Sequence, residues 1–302
     1  MDPKILAELT SHVKTNEQVS SSAESFLLIG YVGSGKTTLA GTIPSKRTLF
    51  NFFEPNGPAA IKRFKNAEYI EWLPKRLPTT IKPTPKGGAP DSKFTSKGAD
   101  VFRAFETFFM KALDNGFYEQ YDVIVLDSLT ALQDAMLDDV LARDGRANFA
   151  PEQSDYGLVG FQLRNLLSTL LSIDRIIVAC AHLAFEKDED SSRMLHQPIL
   201  VGKQKTKTPG IFSNVFICEA EAVGDTKKQY IRTIGDNKSI FNLKASTQFS
   251  WLPPKREITI NNWADLDNEG LGKLFKEAET RTKGLSPTKS PGSSPATTTV
   301  KI

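Results

Sequence analysis

A chain of 302 residues with 39% hydrophobic and 24% charged residues and a net charge of +3 has enough core for one large or two small domains and too little charge bias to name a partner. No apolar run approaches a membrane span and the first residues lack a signal-peptide pattern, so a cytoplasmic protein is expected, with no membrane partner. Cys180 and Cys218 sit in apolar strand-like runs and read as buried free thiols, while His12, His182 and His196 are too scattered for a metal cluster.

Taken in chain order, residues 1–24 read as a polar helix and linker. A strand is predicted over 25–29, a short helix over 37–43 and a second strand over 48–53. Residues 74–98 hold five prolines, Gly87, Gly88 and six basic residues against the single acid Asp91, the pattern of an exposed basic insertion. A helix over 99–115 puts Phe102, Phe105, Phe109 and Leu113 on one face, as core packing requires. Residues 121–126 form a continuous apolar strand of the kind buried on both faces of a parallel sheet. Helices over 129–142 and 155–172 follow, then a strand over 175–181 and a long loop over 183–210. Further strands are expected over 213–220, 228–234, 239–243 and 255–260, with a helix over 266–281. The Ser/Thr/Pro-rich end, basic and without an acid from 281 onward, reads as a disordered tail. Strands alternating with helices imply an α/β fold with a doubly wound, mostly parallel sheet and C-terminal antiparallel strands. The organisation expected is a linker to residue 24, a core over 25–250, a strand and helix over 251–281, and a basic tail over 282–302.

Residues 30–37 read Gly-Tyr-Val-Gly-Ser-Gly-Lys-Thr, a complete phosphate-binding loop between a strand and a helix. Backbone N–H groups of such a loop form an anion-binding concavity, and the helix N-terminus adds partial positive charge. Gly30, Gly33, Ser34, Gly35, Lys36, Thr37 and Thr38 are therefore the candidate nucleotide contacts. Gly33 and Gly35 allow close backbone approach, Lys36 reaches the β/γ-phosphates, and the Thr37 hydroxyl is placed to ligate Mg²⁺. ATP with Mg²⁺ is the expected cofactor, although the residues leave GTP open.

The metal needs a second partner, and Asp127 ends an apolar strand where a Walker-B aspartate belongs. An ordinary helix-capping role beside Ser128 is the alternative. Many phosphate-loop ATPases carry a catalytic glutamate directly after this aspartate. Here the position is Ser128, so the water-activating carboxylate has to come from elsewhere. Glu54 follows the second strand, and ligands of open α/β sheets bind at the carboxyl ends of strands. It can orient and deprotonate the attacking water. His182 ends the strand over 175–181 at the same edge, where a polar residue can sense the γ-phosphate and pass its presence to the following segment.

In this order the motifs resemble the RecA-fold ATPases of phage genomes, and among them the short annealing-associated ATPases. The resemblance covers about residues 25–245. It is carried by the loop at 30–37, Glu54, Asp127-Ser-Leu-Thr-Ala-Leu132, Asp155-Tyr-Gly-Leu-Val-Gly160, His182 and the stretch 198–212 with Thr208-Pro-Gly-Ile-Phe. It implies a RecA-like core, ATP hydrolysis stimulated by DNA, single-stranded DNA as partner, and a homo-oligomeric ring or filament. An annealing or single-strand-binding protein is a further implied partner. Two loops would bind the DNA: about 142–154 with Arg143 and Arg146, and about 184–209 with Lys203, Lys205 and Lys207. Read from the residues alone, these lysines alternate, so an extended segment would put them on one side, able to follow a phosphate backbone. Acids at 186 and 188–190 in the same loop weigh against that. Arg232 and Lys238 resemble cations that complete a neighbouring subunit's site. Competing readings are an oligomeric motor or loader in DNA replication or packaging, a small-molecule P-loop kinase, and a nucleotide-gated scaffold.

Overall fold

The computed structural model describes residues 24–43, 46–74, 98–147, 149–187, 194–235 and 242–284. The expected N-terminal helix, nearly all of the basic insertion, Lys238, most of the strand expected over 239–243, and the terminal tail lie outside these residues.

The first strand, β1 (Ser25–Gly30), is buried along its whole length. It lies in the interior of a mixed sheet whose order is β3-β2-β4-β5-β1-β7-β8-β9. The strands are β2 (Thr48–Phe52), β3 (Ala67–Glu71), β4 (Val123–Asp127), β5 (Ile176–Lys187), β7 (Asn214–Val223), β8 (Thr226–Arg232) and β9 (Lys255–Glu257). From β3 to β7 all neighbours pair parallel, and β8 and β9 add on antiparallel. The fold is the expected α/β class. The central strands β1, β2 and β4 are buried along their whole length because both faces of the parallel sheet are covered.

Alternation along β1 divides the core. Leu27 and Ile29 face one layer, with Phe105 of α3 (Gly98–Asp114), Leu132 of α4 (Leu129–Arg143) and Leu163 of α5 (Gln153–Leu171). Phe26 and Leu28 face the other, with Leu39 of α1 (Lys36–Ala40) and Leu271 and Phe275 of α7 (Gly270–Gly284). Phe26 meets Phe216, Phe249 and Phe275 at ring-centroid distances of 6.0, 5.6 and 5.8 Å. The segment after residue 250 thus packs directly beneath the phosphate-loop strand. Among the described residues no helix is long and apolar enough to cross a membrane.

Several expectations need correction. The segment 183–210 is not a loop. β5 runs on to Lys187 and pairs antiparallel with β6 (Met194–Pro198), and α6 (Gln204–Ile211) follows. Lys203 caps α6, and Lys205 and Lys207 lie within it. At about 100° per residue Lys205 points away from the other two, so the three lysines do not share the side that an extended chain would give them. The strand expected over 255–260 is only three residues long, and the helix after the phosphate loop stops at Ala40. β3 and the short α2 (Gly57–Ile61) were not foreseen. As the sheet's edge, β3 exposes Glu68 and Tyr69, which blurs the apolar signal. Glu68 there accepts from Tyr121 Oη at 2.7 Å and from Arg47 Nη2 at 2.8 Å.

Phe26→Ala should destabilise the protein by about 3–5 kcal/mol, the usual cost of deleting a buried aromatic ring, read as a lowered midpoint in urea unfolding.

Candidate nucleotide site

Every candidate residue of the loop and its metal partner reaches the same edge of the sheet. Gly30 pairs with His182 of β5 on one side and with Cys218 of β7 on the other. A Cβ on Gly30 would stand 2.6 Å from the Cys218 carbonyl, so the loop can leave β1 here only from a glycine. Gly33 and Gly35 adopt φ of 76° and 92°, the left-handed region that β-carbons disfavour. Ser34 N donates to Tyr31 O at 3.1 Å, closing the turn. The Lys36 ammonium, buried under the loop, donates to Gly30 O at 2.9 Å and Tyr31 O at 3.1 Å. The loop is therefore shaped around its own lysine, with the charge held at the anion site.

Thr37 lies in the first turn of α1 beside Asp127, and its Oγ1 donates to Asp127 Oδ2 at 2.6 Å. Burial pushes the Asp127 carboxyl up, and the Thr37 hydrogen bond opposes the shift. A hydroxyl and a buried carboxylate in contact form an oxygen donor pair suited to Mg²⁺, and the ion would offset the desolvation that Asp127 suffers alone. Ser128, in extended conformation, caps α4 by accepting from Ala131 N at 3.3 Å.

Glu54 lies just beyond β2, which pairs with β4 through Phe52↔Asp127. It is 2.8 Å from His182 Nε2 and accepts a hydrogen bond from the Ser128 hydroxyl. The bond from His182 is the main reason its carboxyl sits below the usual range; burial opposes this, and Ser128 and Lys36 assist. The carboxylate is thus held ionised, the state a water-activating base requires. His182 Nδ1 is buried without a hydrogen-bond partner among the described residues, so the imidazole is held through Nε2 at Glu54.

His182 is the last residue of β5 paired with β1, but the strand continues past it. Its backbone is tied to α4 and to the segment after β6. His182 N donates to Thr130 Oγ1 at 3.0 Å, Thr130 Oγ1 donates to Ile199 O at 3.2 Å, and Ile199 N returns to His182 O at 2.8 Å. Gln133 holds the same segment, donating to Ile199 O at 3.2 Å and accepting from Val201 N at 2.8 Å. No separate role could be read for Thr130, within the 127–132 motif, or for Gln133, because both sit at ordinary buried positions of an expected helix.

These residues surround a cleft of about 290 Å³ bounded by Val32, Lys36, Thr37, Glu54, Asp127 and His182. Gln229, which the sequence did not single out, also lines it. The remaining expected site residues lie apart. Arg143 pairs with Asp139 at 2.7 Å and with Glu106 at 3.6 Å. Arg146 grips nearly buried Asp155 with both terminal nitrogens, at 3.1 and 2.5 Å, and fastens the start of α5. Arg232 pairs with Glu219 at 2.8 Å on the sheet face opposite Ile231.

A phosphate loop, a threonine–aspartate pair and a displaced glutamate on one edge of a doubly wound sheet define a P-loop nucleotide-binding domain. One strand, β5, stands between the loop strand and the Asp127 strand, and antiparallel strands close the far side, which is the RecA-like arrangement. A family model described as an AAA domain (AAA_24) matches residues 22–241, and the chain belongs to that family of P-loop ATPase domains. No curated protein matches the sequence significantly. Similar solved structures include the KaiC-like protein PH0186 of the archaeon Pyrococcus horikoshii OT3, at 12% identity over 70% of this chain and 78% of that one, TM-score 0.37. Another is the flagellar accessory protein FlaH of Methanocaldococcus jannaschii, at 13% identity over 80% of this chain and 86% of that one, TM-score 0.42.

His182→Ala removes the main cause holding the Glu54 carboxyl low. A depressed carboxyl keeps its charge as pH falls towards its ordinary value, so the acid limb of the ATP turnover profile should move to higher pH in the variant. The pH dependence of kcat/KM measures this.

Proposed function

We propose that the protein hydrolyses ATP with Mg²⁺ and is a DNA-dependent ATPase binding single-stranded DNA in phage recombination or annealing. The observation that carries the reading is the contact between Glu54 and His182. It joins the carboxylate that would activate water to the residue at which β5 leaves the parallel sheet and becomes a hairpin with β6. A γ-phosphate arriving between Lys36 and His182 competes with Glu54 for the imidazole. The change reaches the hairpin through the bonds of Thr130 and Gln133 to the 199–201 segment.

The hairpin has the chemistry to meet a single strand. Phe185 is 43% exposed, and its ring lies 4.9 Å from that of His196, a surface on which a base can stack. Lys205 stands nearby, 3.7 Å from Glu186, where a phosphate can replace the carboxylate. In this reading Lys203, Lys207 and Arg143 contribute further cations, while Arg146 acts through Asp155 on the shape of the preceding loop. Ring or filament assembly would bring Arg232 and Lys238 to a neighbour's phosphates. The assignment to recombination or annealing rests on the motif order at 30–37, 54, 127–132 and 182. An annealing or single-strand-binding protein is the corresponding partner.

Lys36→Ala should abolish ATP binding, measured by titration with a fluorescent nucleotide. Glu54→Gln should bind ATP and slow turnover by about 10²–10⁴-fold, the usual contribution of a general base. Turnover measured with and without single-stranded DNA across a salt series tests the DNA reading. Stimulation that fades as salt rises is expected from phosphate contacts. Turnover indifferent to DNA at every salt concentration overturns it.

A further inference from the structure

β7 does not stop where β1 does. Beyond the Gly30↔Cys218 pair it continues to Val223 and carries β8 with it, so the antiparallel hairpin overhangs the phosphate loop. Alternation places Ile231, Gln229 and Lys227 on one face of β8. Ile231 is buried in the core layer of α1 and α7. Gln229, next along, lines the nucleotide cleft. Lys227, last in the row, donates its Nζ to the Gly33 carbonyl at 2.8 Å.

Gln229 is held from its backbone. Its N–H donates to Thr259 Oγ1 at 2.9 Å, and its carbonyl accepts from Ile258 N at 2.8 Å. Its side chain lies over Gly35 so closely that a Cβ at Gly35 would fall 2.8 Å from the Gln229 Cδ. Among the described residues the side-chain amide has no hydrogen-bond partner, although it stands beside the N–H groups that define an anion site. A β-carbon at position 35, where the positive φ of 92° already favours glycine, would push this amide aside.

We infer that β8 completes the phosphate site from within the same chain. The Gln229 amide donates to the diphosphate portion of the nucleotide, and Lys227 is a positioning residue that holds the Gly33 carbonyl outward. Both act at the loop and not across the cleft at Glu54 and His182, so the contact falls on the part common to ATP and ADP. The inference rests on the nucleotide-binding reading above and adds a ligand contact to it.

The test is the dissociation constant of fluorescent ATP and ADP analogues for the full chain and its variants, with nucleotide-free melting temperatures recorded. Gln229→Ala should weaken both nucleotides about tenfold, the loss of one hydrogen bond to a charged group. Gln229→Glu keeps the shape but turns a negative charge on the phosphates, and should weaken both further; it carries the test if the alanine variant fails to fold. Lys227→Ala should weaken both, and Lys227→Arg should restore binding by returning a cation to the Gly33 carbonyl. Wild-type affinity in Gln229→Glu, or weakening of ATP alone, overturns the inference while leaving nucleotide binding intact. Equal ATP binding by the wild-type chain and Lys36→Ala overturns the nucleotide-site reading itself, and this inference with it.

Discussion

The level at which the parallel strands end governs this molecule. Gly30, Asp127 and His182 belong to three different strands, and Glu54 follows a fourth. They meet because β1, β2, β4 and β5 are paired in one register. Side chains alternate along a strand, so a slip of one residue in β5 would turn His182 away from Glu54 and put a neighbour in its place. Gly30 sits in this register between His182 and Cys218, whose carbonyl leaves no room for a β-carbon. The aromatic cluster of Phe26, Phe216, Phe249 and Phe275 supports the strand from beneath. Stability and site geometry therefore share the same few residues.

Within that frame two carboxylates are driven in opposite directions. Asp127 is buried and pushed up, against the Thr37 hydroxyl; Glu54 is pulled down, first by His182. Neighbouring acids with diverging environments take different tasks. The buried one, beside a hydroxyl, suits a cation. The ionised one, held by an imidazole and a serine at the cleft, suits a water molecule. The positive charge of Lys36, fixed by two loop carbonyls, favours the ionised form of both.

Two hairpins extend the sheet beyond its parallel edge. The β5–β6 hairpin starts at Leu183, directly after His182, and is latched to α4 by Thr130 and Gln133. The β7–β8 hairpin leans over the loop and touches Gly33 through Lys227. Both are continuations of strands that flank β1. The nucleotide cleft is consequently bounded by strands that reach past it on either side.

Features that depend on local chemistry could be read from the residues in order. The phosphate loop was legible because consecutive residues make it; Asp127 and His182, because apolar runs end at them; and Glu54, because Ser128 vacated the usual glutamate position. Periodicity located most of the parallel strands and the long helices, since burial on one or both faces leaves a regular apolar trace. Tertiary structure alone decided the rest. The segment 183–210 became a hairpin and a helix through pairing with β5 and hydrogen bonds from α4, which polar side chains do not announce in advance. Arg146 was taken up by an aspartate nine positions away, at the start of the next helix. Gln229 joined the cleft only because β7 outruns β1 and carries its partner over the loop. Such contacts depend on strand length and register between segments far apart in the chain, whereas the loop's backbone geometry is specified within eight residues.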